Sequence, residues 1–229
     1  MIASTANTRW SLVQEAKGDT PQARAALREL CEIYYTPVHH QMRRWLRSED
    51  EARDTTHAFF AHLLAGASLH AADEVKGRFR SYLFGAARHF WLQRQRSEFA
   101  DMRGGRSDPV ALDDAGAVPD ARLAPDAEFD RAWACALLKH TLDQLEAEMQ
   151  VNGRGEAFVV LKPWLAGDAT HGDTRAAARQ LNLSETAVRV HVSRLRKRLR
   201  GILEQALADT LAPGADAQQE LRELMAALR

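Results

Sequence analysis

The spacing of apolar residues along the chain predicts helices almost everywhere. Apolar side chains recur at intervals of three and four, and β-branched clusters are few, so the expected fold class is all-α. A helix start is expected at Thr20 and Pro21, because a capping side chain followed by proline is a typical first turn. Further helices are predicted over approximately 37–46, 49–64 and 80–96.

The second half of the chain returns to this pattern after one gap. Residues 103–127 are rich in Gly, Pro, Asp and Ala with almost no large apolar side chain, so a flexible linker is predicted there. A long helix is expected from about Glu128 through Met149, followed by helical sequence to Leu165. The last predicted helix has an apolar face that must pack against something. That face is formed by Leu221, Leu224, Met225 and Leu228.

Acidic and basic residues balance overall but are segregated along the chain. The 229 residues include 31 Lys and Arg and 31 Asp and Glu. Residues 76–106 carry eight basic and two acidic side chains, whereas residues 107–130 carry one basic and seven acidic side chains. A second basic region lies at Arg175–Arg200, beyond this acidic spacer. The arrangement favours two separate nucleic-acid contacts on two small domains.

Several classes of protein are not favoured by the sequence. Cys31 and Cys135 are far apart, which suits a reducing compartment and gives no disulfide or metal-ligand spacing. No apolar run has the ~20 residues that cross a bilayer, and the first ten residues lack a signal-peptide core, so a cytoplasmic protein without membrane contact is expected. None of the nine histidines lies in a metal-binding motif, and no phosphate loop or nucleophile elbow is present. We therefore expect neither an enzyme nor a cofactor.

The segment from Asp173 to Arg200 has the pattern of a helix-turn-helix. Asn182 tolerates a left-handed turn, and Ser184 can cap the second helix. Eight Arg or Lys residues and one acid lie between Arg175 and Arg200, which gives that second helix a basic character. Its apolar stripe, expected to face the core, consists of Val188, Val192, Leu195 and Leu199.

The opposite arc of this second helix is the predicted DNA-reading surface. The N-terminal part of such a helix meets base edges in the major groove. Base contacts are therefore expected from Glu185, Thr186, Arg189 and Val190, with Ser193 on the same arc. Phosphate contacts, which position the helix without specifying sequence, are expected from Arg194, Arg196, Lys197 and Arg198. The alternative is an amphipathic helix whose basic face is only solvated.

Two segments of the front half, together with the helix-turn-helix, have the order of motifs of one known family. They are EDEARDTTHAFFAHLL at 49–64, GRFRSYLFGAARHFWLQRQRS at 77–97 and NLSETAVRVHVSRLRKRL at 182–199. In these segments the chain resembles regions 2.2, 2.3 to 2.4 and 4.2 of the extracytoplasmic-function (ECF) sigma factors of bacterial RNA polymerase. The resemblance covers about residues 20–100 and 128–203. It implies region 2 at 20–102 and region 4 at 128–203. The predicted linker at 103–127 and a predicted C-terminal helical extension at 204–229 fall outside the resemblance.

This resemblance implies transcription initiation, with promoter DNA and the β′ and β subunits of core RNA polymerase as partners. Region 2.2 docks on a coiled coil of β′, which implies core contacts from Glu51, Asp54, His57 and Phe60. Regions 2.3 and 2.4 open the −10 element, which needs basic side chains for the single strand and aromatic walls for an unstacked base. The implied −10 contacts are Lys76, Arg78, Arg80, Tyr82, Arg88, His89 and Arg94. Phe79 and Trp91 are either further walls or core residues. The helix-turn-helix would read the −35 element.

The region 2.2 segment departs from the family in its charge. Acids are usual at the positions of Arg53 and Ala58, so this helix is short of negative charge, and Thr55 and Thr56 lie within the deficit. A phosphothreonine adds about −1.5 to −2 charges, and in this the chain resembles the sigma factors controlled by Ser/Thr protein kinases. The hypothesis is that phosphorylation at Thr55 or Thr56 switches on polymerase binding. The alternatives are that the remaining acids suffice and that an anti-sigma factor controls the protein.

Two further questions stay open at the level of sequence. An autonomous helix-turn-helix regulator is the alternative function, although such proteins usually dimerise on two half-sites. The front half also lacks the alternating strands and helices of a phosphoacceptor domain. The tail beyond Pro213 lies outside the resemblance, and we expect it to dock on the second domain or on a regulator.

Overall fold

The computed structural model describes residues 20–64, 78–102, 126–166, 173–211 and 216–228, together with Val13, Glu15 and Ala16. Every regular element within these ranges is an α-helix, which confirms the all-α prediction. None of the described helices combines the length and the apolar character needed to span a membrane. Most of the predicted linker, residues 103–125, lies outside the described residues, as does Lys76.

Three long helices are described in the front half of the chain: α1 at Pro21–Trp45, α2 at Glu49–Leu64 and α3 at Phe79–Met102. The predicted start of α1 is confirmed, because Thr20 Oγ1 accepts the N–H of Ala23 at 3.0 Å. The prediction of two helices within α1 is wrong, since Pro37 lies inside one continuous helix. Proline removes one backbone hydrogen bond there, but buried side chains on both sides of it hold the helix together. These are Ile33, Tyr34, Val38 and Met42.

Six helices are described in the second half of the chain. They are α4 at Ala127–Val151, α5 at Gly155–Leu161, α6 at Pro163–Ala166, α7 at Asp173–Gln180, α8 at Glu185–Ala208 and α9 at Ala217–Ala227. Asp126 caps α4, since its Oδ1 accepts the N–H of Phe129 at 2.9 Å. Asp216 caps α9 by accepting the N–H of Gln218, also at 2.9 Å. The predicted long helix near Glu128 and the final helix are therefore present.

Two compact units divide the chain, and their boundaries differ from those of the predicted domains. The first unit contains the chain up to Ala136 together with residues from Leu207 onward, and the second contains Leu137–Ala206. The start of α4 and the whole of α9 thus group with the front half. The tail was expected to dock on the second domain or on a regulator. Docking on the second domain is wrong, because α9 packs within the first unit.

The first unit has a core rich in aromatic side chains. Tyr34 of α1 meets Phe79 of α3 edge to face, with 5.2 Å between ring centroids. Phe84 meets Phe129 of α4 in the same way at 5.1 Å, so the first turn of α4 is anchored on α3. Four leucines from the C-terminal part are buried in this unit as well: Leu207, Leu211, Leu221 and Leu224.

The second unit has one apolar cluster built from α4, α5, α7 and α8. Phe158 of α5 is fully buried in it beside Leu145 of α4 and Leu161. Ala177 and Ala178 of α7 also belong to this cluster. The four apolar residues predicted for the core stripe of α8 are all buried there: Val188, Val192, Leu195 and Leu199. The helix-turn-helix is therefore supported by α4 and α5.

We expect Phe158→Ala to destabilise the second unit by about 3–5 kcal/mol, because it removes a fully buried aromatic side chain and leaves a cavity. The matched control is Val159→Ala at the next position, where the side chain is 59% exposed and the expected change is within about 0.5 kcal/mol. Urea unfolding followed by hydrogen exchange over residues 173–199 measures both. Equal losses in the two variants would contradict this account of the core.

Candidate nucleic-acid interfaces

The turn between α7 and α8 has the geometry that a helix-turn-helix requires. Asn182 adopts a left-handed conformation with φ of 53°, and the N–H of Leu183 donates to the carbonyl of Ala178 at 2.8 Å. Ser184 Oγ then accepts the N–H of Ala187 at 3.1 Å and caps α8. Both the left-handed residue and the cap are confirmed as predicted. These bonds fix the angle between α7 and α8.

The face of α8 opposite its buried stripe is open to solvent. Val190 at its centre is 44% exposed, an unusual position for a branched apolar side chain. Other predicted DNA contacts are exposed on α8 too: Thr186, Arg189, Ser193, Arg194 and Lys197. A surface that combines an apolar centre, hydroxyl groups and cations can make both base and phosphate contacts.

Glu185 links the two helices of the motif. Its carboxylate lies 3.3 Å from Nε of Arg175 on α7 and 3.7 Å from Nη2 of Arg189 on α8. The side chain is half-buried, so the single acid of this basic segment is already engaged. Glu185 therefore orients the neighbouring arginines as well as lying on the predicted base-reading arc.

Two of the arginines predicted for phosphate contact are bonded to groups of the second unit, although their side chains are exposed. Arg196 donates from Nε and Nη2 to the carbonyl oxygen of Trp164, at 3.2 and 2.7 Å. Arg198 makes a two-pronged ion pair with Glu148 of α4, with its shortest contact at 2.7 Å. Their geometry assigns them a packing role that was not predicted. Arg194 and Lys197, by contrast, have no ion pair within the described part of the chain.

The exposed surface of α2 carries two carboxylates that are not neutralised by the described residues. Glu49 pairs with Arg43 at 2.7 Å, and Asp50 pairs with Arg53 at the same distance. Glu51 and Asp54, which the sequence singled out, have no ion-pair partner among the described residues. They remain available for a basic partner surface.

The other two predicted core-polymerase contacts on α2 differ in their exposure. His57 is exposed, and its Nε2 is hydrogen-bonded to the hydroxyl of Tyr35 at 2.8 Å. Phe60 is buried and packs beside Tyr35 and Phe59, with ring centroids 5.7 and 5.4 Å away. Its prediction as a surface contact is therefore corrected, because its ring belongs to the core of the first unit.

Thr55 and Thr56, the candidate phosphorylation sites, are buried. Their exposed fractions are 1% and 0%. Thr56 Oγ1 donates to the carbonyl of Ala52 at 2.7 Å, whereas Thr55 Oγ1 has no hydrogen-bond partner among the described residues. A phosphate on either hydroxyl needs solvent or cations around it. Both side chains are closed to solvent, and the basic group beside them is the ring of His39, whose Nδ1 lies 3.4 Å from Thr56 Oγ1. Phosphorylation here thus requires α2 to open locally.

The side chains predicted for the −10 strand fall into exposed and buried groups. Arg88 and Arg94 are exposed and His89 is half-buried on α3, with Arg94 paired to Glu98 at 3.1 Å. Tyr82 is instead a core residue, and burial raises the pKa of its hydroxyl to about 12. Its predicted role as a wall for an unstacked base is corrected.

The two aromatic residues of α3 left open by the sequence have different environments. Phe79 is fully buried against Tyr34 and belongs to the core. Trp91 is half-buried and stacks on Trp45 of α1, with centroids 5.1 Å apart and planes inclined by 20°. Part of the Trp91 ring therefore remains accessible, as a base-stacking platform requires.

Arg78, just before α3, is bound by the carboxylates of α9. Its Nε lies 3.0 Å from Glu220, and Nη1 and Nη2 donate to the two oxygens of Glu223 at 2.5 and 2.9 Å. The hydrogen bond from Arg78 holds the pKa of Glu223 below its ordinary value. Glu223 therefore stays ionised at neutral pH, and the ion pair persists well into the acidic range.

Arg80 is a buried cation within a cage of carboxylates. Only 5% of it is exposed, and it contacts Glu220, whose own exposure is 3%. Its Nε lies 3.1 Å from Asp130 of α4, and its Nη2 lies 3.2 Å from Glu223. The guanidinium also stacks over the ring of Trp133 at 4.4 Å, a favourable cation–π contact. Burial lowers the pKa of Arg80 and raises that of Asp130, while their attraction opposes both shifts.

Sequence reasoning did not find the acidic partners of these arginines. Glu220 and Glu223 are three residues apart, so they lie on one face of α9. That spacing was a readable signal of an acidic face, but nothing local indicates which cations it would meet. Arg80 and Glu223 are separated by 143 positions in the chain.

Comparison of the chain with protein-family models, with curated proteins and with solved structures finds no match. Within the described residues, no group of three or more His, Cys, Asp or Glu side chains is arranged to hold a metal ion. The candidate interfaces therefore rest on their own geometry, which is the basic face of α8 in the second unit and the basic start of α3 in the first unit.

We expect Thr55→Val to leave the free energy of unfolding unchanged or slightly raised, because it removes a buried hydroxyl that lacks a partner. Thr55→Glu should cost about 2 kcal/mol or more, since it places a carboxylate among buried side chains. Chemical denaturation of the two variants tests this contrast. If Thr55→Glu were as stable as the wild type, an anion at this position would be tolerated without any opening of α2.

Proposed function

We propose that this protein is an alternative RNA polymerase sigma factor of the ECF type, acting in the cytoplasm. The first unit would bind core polymerase and open the −10 element, and the second unit would read the −35 element. One observation carries the proposal: α7 and α8 form a capped helix-turn-helix, with Asn182 left-handed and a basic face exposed. The order of the three matching segments extends it from DNA binding to transcription initiation.

The core-polymerase contact is proposed for the exposed surface of α2. Glu51 and Asp54 offer negative charge without partners among the described residues, and His57 adds a polar group beside them. Carboxylates that already pair with a neighbouring arginine, as Glu49 and Asp50 do, would gain less from a new cation. The unpaired acids are therefore the stronger candidates for a basic surface on the β′ subunit.

The −10 contact is proposed for the outer face of α3. Arg88 and Arg94 would follow the backbone of the displaced strand, and the half-buried ring of Trp91 would stack on a base. Arg78 would join them only after separation from the carboxylates of α9. Arg80 is buried and also paired with Asp130 of α4, so its predicted contact with the −10 strand is corrected.

Control by a Ser/Thr protein kinase at Thr55 or Thr56 stays a prediction. Both hydroxyls are buried, so the kinase would act on a locally opened α2 or before the unit closes. An anti-sigma factor is the alternative regulator and needs no such opening.

Retention of core RNA polymerase by the purified protein, followed by run-off transcription, tests the proposal. We expect the wild type to bind core polymerase and the Glu51→Gln/Asp54→Asn variant to bind at least about tenfold more weakly, because two charge-assisted contacts are lost. The control with the same change in charge is Glu32→Gln/Glu98→Gln, both exposed in the first unit, which should bind like the wild type.

An autonomous regulator would give a different pattern of results. It would bind a specific duplex without polymerase, usually as a dimer, and its affinity would not respond to the substitutions in α2. Absence of polymerase retention by the wild type, in unphosphorylated and kinase-treated form, would reject the sigma-factor proposal.

The cations of α8 that have no ion pair among the described residues should contribute more to duplex binding than Arg198, which is paired within the unit. Arg194→Ala and Lys197→Ala should each weaken binding to all duplexes, and each should reduce the slope of log K against log salt by about 1. Arg198→Ala is the control, because Arg198 is engaged by Glu148. It should lower stability and leave the salt slope unchanged. A reduced slope in Arg198→Ala alone would contradict this assignment.

A further inference from the structure

The C-terminal helix α9 is bound over the basic start of α3. Its carboxylates Glu220 and Glu223 contact both Arg78 and Arg80. On the same helix, Leu221 and Leu224 are buried in the first unit. The helix is thus attached to the first unit by two apolar side chains and by two carboxylates.

Every ion pair that the described residues give to Arg78 comes from α9. The contact to Glu223 is two-pronged, with Nη1 and Nη2 donating to separate oxygens. An arginine makes the same parallel bonds to a phosphate. The two carboxylates therefore occupy the position in which backbone phosphates of a nucleic acid would bind.

Arg80 has other partners that do not depend on α9. Asp130 of α4 lies 3.1 Å from its Nε, and the ring of Trp133 covers the cation. If α9 leaves, Arg80 retains one carboxylate and its stacking contact, so its charge is not left unpaired in the core. The arrangement allows α9 to separate while the rest of the unit stays folded.

The helix itself is short and weakly anchored. It spans 11 residues, a length at which an isolated helix is marginal in water. Met225, predicted to share its apolar face, is 49% exposed. Binding of α9 therefore depends on the contacts to the first unit and can compete with another ligand of the same surface.

We propose that α9 is a built-in cover that mimics nucleic-acid phosphates and blocks the single-strand surface at the start of α3. The inference rests on the proposed function, because it assigns regulation to the −10 contact. In the covered state Arg78 and Arg80 are neutralised. In the open state Arg78 extends the cationic track of Arg88 and Arg94 along α3, while Arg80 stays paired with Asp130.

The test measures binding of a fluorescent oligo-dT single strand to the full chain, without polymerase, over a range of salt concentrations. Two variants release α9 by different means: Glu220→Gln/Glu223→Gln removes the acidic pair, and Leu224→Ala removes an apolar anchor without changing charge. The control is Asp143→Asn/Glu156→Gln, which alters net charge equally at exposed positions of the second unit. Hydrogen exchange over residues 217–227 reports whether α9 has separated.

We expect both release variants to bind the single strand about tenfold more tightly than the wild type, and the control to match the wild type. The salt dependence should steepen by about 0.7, because release of α9 frees Arg78 for one additional phosphate contact, and each such contact on a single strand contributes about 0.7. The strand should also raise hydrogen exchange in α9 of the wild type, as expected for competition. A gain in affinity by Leu224→Ala would not come from a change in net charge, because this substitution leaves the charge of the chain unchanged.

The inference is overturned if α9 exchanges freely in either variant and affinity does not rise, or if neither variant releases α9. Undetectable binding by every form overturns it as well. These failures are separate from failure of the proposed function, which is decided by core-polymerase retention. A chain that binds polymerase but gains no affinity on release of α9 is a sigma factor without this cover. A chain that gains affinity but never binds polymerase has the cover without the proposed function.

Discussion

A guanidinium inside a protein needs carboxylates near it, and Arg80 obtains them from two parts of the chain that are far apart in sequence. Asp130 lies at the start of α4 and Glu220 on α9, while Trp133 covers the cation at 4.4 Å. Arg80 with no carboxylate at all would cost about 3–5 kcal/mol. The association of α3, α4 and α9 in one unit follows from this requirement together with the burial of their apolar faces.

The basic residues of α8 in the second unit have two roles. Some of them stabilise the fold, and others can bind a ligand. Arg196 satisfies the carbonyl of Trp164, and Arg198 ties α8 to Glu148 of α4. Both therefore fix the orientation of α8. Arg194 and Lys197 lie on the same basic helix and have no ion pair among the described residues, so they can contact a ligand without disturbing the packing. Neighbouring basic residues of one helix thus have two different physical roles, in packing and in ligand contact.

Features set by neighbouring residues were predictable, and features set by distant ones were not. The cap at Thr20, the left-handed Asn182 and the cap at Ser184 depend on a few adjacent positions, and all three are present. Pro37 was misinterpreted because a local rule was outweighed by burial on both sides of it. The role of Arg80 could not be read from the sequence, since its partner Glu223 is 143 positions away.

The first unit is discontinuous in the chain, because residues from Leu207 onward complete what the front half begins. On the ribosome, the nascent front half emerges long before the segment that supplies Glu220 and Glu223. During that interval Arg78 and Arg80 lack these partners, and the loop that must close between them spans the whole second unit. Synthesis order alone thus gives each new molecule a period in which its cationic surface is uncovered.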